Sequence, residues 1–169
     1  MSFRLVLTLC VCGLLAGCGF RPLYGDFDTG SAGARFLQIE IDTTKDREGQ
    51  LLRAELVRLL YGSRAPEAPR YRLITVLTEN TTSLAVQKSA FATRGNLIMT
   101  GAVRLIDRRS GVSVFETSSQ STVSYNILDS EFASLLAEKN ARERAVRVLG
   151  QDIRLRLGGY FDRLSKGES

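Results

Sequence analysis

Few side chains in this sequence could carry chemistry. The 169 residues include three cysteines and no histidine. Without histidine the chain lacks the usual general base near neutral pH and the commonest metal ligand, and no serine or cysteine nucleophile can be paired with one. Neither a P-loop nor a dinucleotide-binding glycine pattern occurs, and no two carboxylates are spaced as a recognisable acid–base pair. We therefore expect no metal, no cofactor and no enzymatic activity.

The cysteine with the clearest chemical context is Cys18, which ends a short export signal. Arg4 precedes an apolar run that is too short to cross a bilayer, for which roughly 20 apolar residues are needed. The run ends in LAGC, residues 15–18, which resembles the lipobox of bacterial lipoproteins. The motif implies removal of residues 1–17, acylation of Cys18 and attachment of a 152-residue mature chain to a membrane. The alternative is an uncleaved apolar helix with an ordinary buried cysteine.

The chain is basic, with 23 lysines and arginines against 18 aspartates and glutamates and a net charge of +5. Most of the cations are arginines, whose planar guanidinium binds phosphate or carboxylate through two hydrogen bonds. An anionic partner is therefore expected. For an exported, lipid-anchored chain, anionic lipid is a better candidate than nucleic acid. The plainer alternative is a solvated surface with a small excess of arginine.

The mature chain divides into a tether, one domain and a tail. Residues 18–34 are rich in Gly, Asp, Ser and Thr and predict a tether. Phe20 and Tyr24 are too apolar for a free linker, so we expect them to dock on the fold or on a partner. Residues 35–165 predict a single domain without an internal disulfide, since one cysteine remains after cleavage. Residues 166–169 form a short tail.

Hydrophobic periodicity predicts four strands and two helices. Alternation over residues 35–42 is typical of a half-buried strand, and the leucines of residues 45–61 recur at helical spacing until Gly62 ends the helix. After this helix the sequence predicts a strand from Arg70, a turn over residues 89–96 around Arg94-Gly95 and a strand over residues 97–107. A hairpin connection follows and ends at Gly111, where we expect a positive φ that favours glycine. The last predicted elements are a strand from Val112 to about Tyr125 and a helix over residues 130–164 capped by Asp129 or Ser130.

Two of these elements have unusual composition. The apolar row of the last helix begins with three alanines and ends with larger side chains: Ala137, Ala141, Ala145, Leu149, Ile153, Leu157, Tyr160 and Leu164. The small side chains at its start let the helix backbone approach the sheet closely. The fourth strand has a Ser/Thr-rich middle, ETSSQST, which suits a strand with one wet face or one that pairs with a strand of another protein. The order β-α-β-β-β-α predicts an α+β fold with two helices on one face of a four-stranded, mainly antiparallel sheet.

The order of these motifs resembles the LptE family of lipopolysaccharide-assembly lipoproteins. The motifs are the lipobox continuing as CGFRPLYG, the FATRGNL turn, and SYNILDSEFASLLAEKNARERAVRVLGQDIRLRL. The resemblance covers residues 18 to about 161. It implies a non-enzymatic lipoprotein of the outer membrane, facing the periplasm, that plugs the lumen of the β-barrel LptD. It also implies that the protein helps this barrel to assemble and completes the lipopolysaccharide translocon.

The resemblance further implies a lipopolysaccharide-binding site. The family's basic residues match Arg94, in FATRGN, and Lys139, in LLAEKNARE, and the phosphates of lipid A bind cationic hydrogen-bond donors. Glu138, beside Lys139, would neutralise it if the two side chains paired. Additional candidate anion contacts are Lys88, Arg108 and Arg109.

Two alternatives without a barrel partner stay open. One is a free-standing periplasmic lipoprotein that binds a lipid or peptide in an apolar groove between helices and sheet. The other is a hydrolase that uses two closely paired carboxylates. Gly19 stands where some bacteria place an acidic residue to retain lipoproteins at the inner membrane, which favours the outer membrane.

Overall fold

The computed structural model describes residues 31–66, 68–84 and 93–167, which form three helices and four strands. The predicted α+β class is confirmed. The signal, Cys18, Phe20, Tyr24 and Lys88 lie outside the described residues. In chain order the elements are α1 (Ser31–Phe36), β1 (Ile39–Ile41), α2 (Arg47–Tyr61), β2 (Tyr71–Leu84), β3 (Thr93–Asp107), β4 (Ser113–Ile127) and α3 (Glu131–Lys166).

The four strands form one mainly antiparallel sheet in the order β1-β2-β3-β4. β1 and β2 are parallel, and the other two pairings are antiparallel. β2 and β3 pair without interruption from Tyr71 opposite Asp107 to Leu84 opposite Arg94. The turn before β4 contains Gly111 with a φ of 72°, which confirms the prediction that this position requires glycine.

All three helices lie on one face of the sheet, and the core lies between the two layers. Alternate residues of the central strands point to this face and are buried, among them Leu73, Leu97 and Met99. The predicted alanine row is confirmed in part, since Ala141 and Ala145 are fully buried against the sheet. The buried row of α3 continues through Leu149, Ile153, Leu157 and Phe161.

Aromatic side chains close the core at the end of the sheet where β1 lies. The ring of Phe161 on α3 lies 5.5 Å from that of Tyr71, 5.2 Å from that of Tyr160 and 6.2 Å from that of Phe36. The rings of Phe115 and Tyr160 are 5.0 Å apart. We call these five side chains the base cluster and this end of the fold the base.

The start of the first strand differs from the prediction. Residues predicted to open this strand instead form α1, and β1 begins at Ile39. Phe36 is buried in the base cluster, and the Arg35 guanidinium lies 6.0 Å from the centre of the Phe161 ring. Packing against this ring outweighs the local alternation of polar and apolar residues.

The turn predicted around Arg94-Gly95 is also wrong, because both residues lie inside β3. Gly95 pairs with Tyr125 of β4. A Cβ atom on Gly95 would lie 2.6 Å from Cζ of the Tyr125 ring. The glycine is therefore required by the close approach of an aromatic ring and not by a turn. Residues 85–92, where the rest of the predicted turn falls, lie outside the described residues.

Caps fix the ends of the two longer helices. At the start of α2, Asp46 accepts a hydrogen bond from the Gly49 N–H at 2.8 Å. At its end, Gly62 stops the helix with a φ of 61°, as predicted. Ser130 caps α3, which runs on to Lys166. The predicted helical row fails at its end, because Leu164 is exposed and Phe161 takes the buried position. None of the described helices contains an 18-residue stretch apolar enough to cross a bilayer.

Candidate functional site

One end of the fold carries a single helix on the sheet. α2 has 15 residues, whereas α3 has 36. The two helices meet where Gly150 faces Glu55, and a Cβ atom on Gly150 would lie 2.8 Å from Glu55 Cγ. The first turns of α3 lie beyond this contact, beside the end of the sheet where Leu84 pairs with Arg94. We call this end the tip.

Apolar side chains are exposed at the tip. Phe132, Leu135 and Leu136 of α3 are 71%, 58% and 44% exposed. Together with Lys139 they occupy positions i, i+3, i+4 and i+7, which share one face of a helix. We call these four residues the tip stripe. A single exposed apolar residue is unremarkable, but a contiguous group marks a surface that meets lipid or protein.

Short-range hydrogen bonds fix the helix that carries the tip stripe. The Ser130 hydroxyl accepts from the Ala133 N–H at 3.4 Å. The Ser134 hydroxyl accepts from the Leu128 N–H at 2.8 Å and donates to the Leu128 carbonyl at 2.9 Å. These bonds tie the first turn of α3 to the end of β4, so the sheet sets the direction in which the tip stripe points.

An arginine between two carboxylates joins α3 to the sheet at the tip. Nε and Nη2 of Arg142 donate to Glu79 of β2 at 3.0 and 2.9 Å, and Nη2 also donates to Glu138 one turn earlier. The pKa of Arg142 is raised, and the main cause is its hydrogen bond to Glu79. This arrangement has a consequence for Lys139. Glu138 pairs with Arg142 and not with Lys139, and no carboxylate in the described part of the chain forms an ion pair with that lysine.

Arg94 lies on the opposite side of the sheet from the tip stripe. It is exposed, and its strand neighbours are Leu84 and Asn126. Side chains alternate between the two faces of a strand, and Gly95 faces the helices, as its contact with Tyr125 shows. Arg94 therefore points away from them. Arg94 and Lys139 share the tip but do not converge on one anion.

The Tyr125 side chain of β4 lies beneath the first turns of α3. Burial raises the pKa of its hydroxyl, and the nearby charge of Glu138 acts in the same direction. On the preceding residue, Ser124, the hydroxyl donates to Asn96 Oδ1 across the strand pair at 2.7 Å. These contacts hold the strand segment that carries Arg94 without using its side chain.

The other candidate arginines lie at the base and not at the tip. Arg108 donates to Glu40 of β1 at 2.6 Å. The Arg109 N–H bonds to Asp107 at 2.8 Å, and this bond is the main cause of a lowered pKa for the Asp107 carboxyl, which also accepts from Arg70. Arg108 is therefore part of an ion pair that joins β1 to the hairpin, and neither arginine lies near Arg94 or Lys139.

The face of the sheet without helices carries an open groove. Its volume is about 390 Å³, and its lining combines aliphatic side chains with an ion pair between Arg104 and Glu116 at 3.2 Å. The aliphatic members are Ile74, Val76 and Ala102. The fully buried alanines of α3 lie on the other face. The space between helix and sheet is therefore filled there, and the groove lies where no helix covers the sheet.

Sequence reasoning identified Lys139 and Arg94 but not the apolar residues of the tip stripe. Their spacing was visible in the sequence as FASLLAEK, residues 132–139. Helical spacing alone would place such a stripe in the core. Here the stripe stays exposed because α2 is too short to cover it. The extent of a neighbouring helix is a tertiary property that local periodicity does not contain.

Solved structures share this fold, whereas no family model and no curated protein matches the chain. A presumed lipoprotein from Caulobacter crescentus CB15 superposes with a TM-score of 0.64, at 24% identity, over 77% of this chain and 94% of its own. A minor lipoprotein from Acinetobacter baumannii superposes with a TM-score of 0.54, at 17% identity, over 72% and 89%. The chain therefore has the fold of these bacterial lipoproteins.

Proposed function

We propose that this protein is an outer-membrane lipoprotein, anchored through Cys18, that acts as plug and assembly partner of an LptD-like β-barrel and contacts lipopolysaccharide. The observation that carries the proposal is the tip stripe, in which three exposed apolar side chains lie beside Lys139. In the part of the chain that the structure describes, no carboxylate pairs with this lysine. Lipopolysaccharide presents acyl chains next to phosphates, so a surface of this composition suits it. The lipobox and the order of the motifs support the rest of the proposal.

The two predicted cations have separate roles in this proposal. Lys139 lies with the tip stripe and would meet a phosphate while Phe132 and its neighbours meet acyl chains. Arg94 lies on the other face of the sheet and would meet a second phosphate or a polar group of the barrel. Arginine and lysine both form charge-assisted hydrogen bonds to phosphate.

The helix-free face of the sheet suits the lumen of a large barrel. Its residues in β3 and β4 are mostly small and polar, among them Thr100, Ser118, Gln120 and Thr122. Side chains inside large outer-membrane barrels are also polar. The polar side chains of such a face can form hydrogen bonds with the polar lumen wall, so that docking does not bury them without partners.

Co-purification tests the barrel partner. We expect the tagged, lipidated protein, extracted from its own bacterium in mild detergent, to carry a large outer-membrane β-barrel in about equal amount. Cys18→Ser, which removes the anchor and leaves the domain unchanged, should still bind the barrel from detergent extracts. Repeated isolation of the lipidated chain alone would contradict the proposal.

Charge reversal tests the lipopolysaccharide contact. Lys139→Glu and Arg94→Glu should each weaken binding to lipopolysaccharide micelles and leave the circular dichroism spectrum unchanged. Arg163→Glu provides a matched control, because it makes the same charge change at an exposed position near the other end of α3. Equal affinity for the tip variants and this control would remove Lys139 and Arg94 from the site.

The two alternatives receive less support. The free-standing lipoprotein needs a groove between helix and sheet, where the described residues of α3 pack closely. The carboxylate hydrolase needs two free acids in a cleft. Glu79 and Glu138 lie close together but share Arg142, and Glu40 and Asp42 are each bound to an arginine. We therefore propose a non-enzymatic role.

A further inference from the structure

β4 is a long edge of the sheet. It spans Ser113–Ile127 and pairs with β3 on one side. No backbone group in residues 31–66, 68–84 or 93–167 pairs with its other side. The opposite edge, β1, has three residues. Edge strands as long as β4 expose rows of backbone donors and acceptors to which another strand can add.

The pairing pattern determines which backbone groups of β4 face outward. Successive residues of a strand direct their N–H and C=O groups to opposite sides. The Arg108 N–H bonds to Arg70 before β2, and the Asp107 N–H bonds to Val112 before β4. Odd-numbered residues of β3 therefore pair with odd-numbered residues of β4. The even-numbered residues from 116 to 126 direct their N–H and C=O groups outward.

Residues 116–126 of β4 lack the sequence features that usually protect an edge strand from pairing. This stretch contains neither proline nor lysine, and its register with β3 slips only at Leu105/Ile106, next to the hairpin. Its one charged residue, Glu116, is paired with Arg104. Natural edge strands that must stay single commonly carry prolines, lysines or bulges, so this edge is suited to pairing.

Contacts show which side of α3 borders this edge. Arg144 Nη2 donates to the outward carbonyl of Ser124 at 3.4 Å, and Arg156 Nη1 donates to the Thr117 hydroxyl at 3.2 Å. Arg156 also pairs with Asp152 at 2.6 Å. No carboxylate in the described residues pairs with Arg144, so it supplies the net positive charge along the edge.

Two exposed aliphatic side chains lie on the same side of α3. Val148 is one turn from Arg144 and is 49% exposed, and Leu155 is three turns from Arg144 and is 40% exposed. Residues four and eleven positions apart share a helix face with the starting residue. An added strand would place every second side chain against this face and cover both aliphatic groups.

We infer that the outer edge of β4 binds an extended segment of a partner protein by β-strand addition. The segment carries an acidic residue opposite Arg144 and apolar residues opposite Val148 and Leu155, with small polar residues at the alternate positions. Backbone hydrogen bonds provide the attachment, and the side of α3 selects the sequence. The inference does not depend on whether the partner is the barrel of the proposed function.

A second copy of this chain is the less suitable occupant on grounds of charge. Antiparallel pairing of two β4 edges around Gln120 would place Ser124 of one copy near Thr117 of the other. Arg144 would then lie near Arg156 of the second copy, and the +5 net charge of each chain would oppose the approach. An acidic segment satisfies the same guanidiniums without this repulsion.

A defined peptide tests the inference. The probe is a fluorescent ten-residue peptide with threonine at alternate positions and glutamate and valine at the others, titrated into the full mature chain with Cys18→Ser. We expect saturable binding by fluorescence polarisation. Arg144→Glu should weaken binding about tenfold or more, whereas Arg163→Glu, an equal charge change elsewhere on α3, should not. Equal effects of the two variants would overturn the inference.

Backbone methylation separates strand addition from adhesion by charge. An added strand donates through every second N–H, so N-methylation of one alternate set of peptide amides should abolish binding and methylation of the other set should spare it. Equal loss from both sets, or from neither, would overturn the inference. On the protein side, Thr122→Pro removes an outward N–H and should block binding, while Thr122→Ala should not.

Two further outcomes would assign the edge to another occupant. Sedimentation of dimers that Thr122→Pro dissociates would assign the edge to a second copy of the chain. Peptide binding that appears only after removal of residues 18–30 would assign the edge to the chain's own N-terminal segment. Either result would overturn the assignment to a partner protein.

Discussion

The base and the tip of this fold are built from the same sheet and the same long helix but differ in what covers them. At the base, α1, α2 and α3 enclose the aromatic base cluster, and ion pairs such as Arg108 with Glu40 tie the edge strand to the hairpin. At the tip, α3 is the one described helix on the sheet, and Phe132 and Leu135 are exposed. The difference indicates that stability is concentrated at the base and that the tip is available for binding.

The largest expected effect comes from opening the base cluster. Phe161→Ala should reduce the free energy of unfolding by about 3–5 kcal/mol, because it removes a fully buried ring that contacts three others. Phe132→Ala at the tip should change it by less than about 0.5 kcal/mol. Urea unfolding of the two variants checks this contrast, and similar losses would show that the tip also contributes a core.

A smaller loss is expected where the tip is tightly packed. Gly95→Ala places a Cβ atom against the Tyr125 ring and should cost about 1–3 kcal/mol by overpacking. In a Tyr125→Ala background the same change should cost far less, because the clash is removed. A double-mutant cycle measured by urea unfolding checks the coupling, and additive effects would show that the ring is not the obstacle.

The two helix caps should also differ in how much each contributes to the free energy of unfolding. Asp46→Ala, which removes a partly buried 2.8 Å bond to Gly49 at the start of α2, should cost about 1 kcal/mol. Ser130→Ala, which removes an exposed 3.4 Å bond at the tip, should cost about 0.5 kcal/mol. Thermal unfolding followed by circular dichroism compares them, and a larger loss from Ser130→Ala would show that the exposed cap at the tip contributes more than the partly buried one.

The smallest effect on stability should accompany a large effect on binding. Replacing Phe132 and Leu135 with serine should leave the free energy of unfolding within about 0.5 kcal/mol of the wild type. The same change should weaken binding to lipopolysaccharide micelles by about a hundredfold or more, since each of the two side chains contributes about 1.5–3 kcal/mol when it is fully buried. The matched control replaces Leu51 and Leu164, which are exposed elsewhere. Equal binding losses in both variants would contradict a specific role for the tip stripe.

Local patterns in the sequence predicted the elements well where packing and periodicity agree. The leucines of α2, the hairpin glycine Gly111 and the buried Ala141 and Ala145 follow directly from spacing and backbone chemistry. The prediction failed at Arg35 and at Gly95, where an aromatic ring distant in sequence decides the structure. Phe161 draws α1 into the core, and Tyr125 requires a residue without a side chain opposite it.

The candidate site likewise combines residues that the sequence identified with an arrangement that depends on tertiary contacts. Arg94 and Lys139 were identified through the resemblance to a family, and their roles in binding stay predictions. Their placement on opposite faces depends on strand alternation and on the residues that contact α3, and the pairing of Glu138 with Arg142 depends on Glu79 of another strand. Sequence spacing contains neither relation, because both arise when distant segments meet.

The length of α3 sets a physical scale for the molecule. Its 36 residues extend about 54 Å at 1.5 Å per residue, whereas a bilayer with its headgroups is about 40–45 Å thick. A domain held with its base at the periplasmic surface and its long axis across the membrane would therefore reach the far leaflet with its tip. From Phe161 in the base cluster to the residues of the tip stripe, α3 covers 22–29 residues, or about 33–44 Å. In the proposed function this separation is close to the thickness of one membrane.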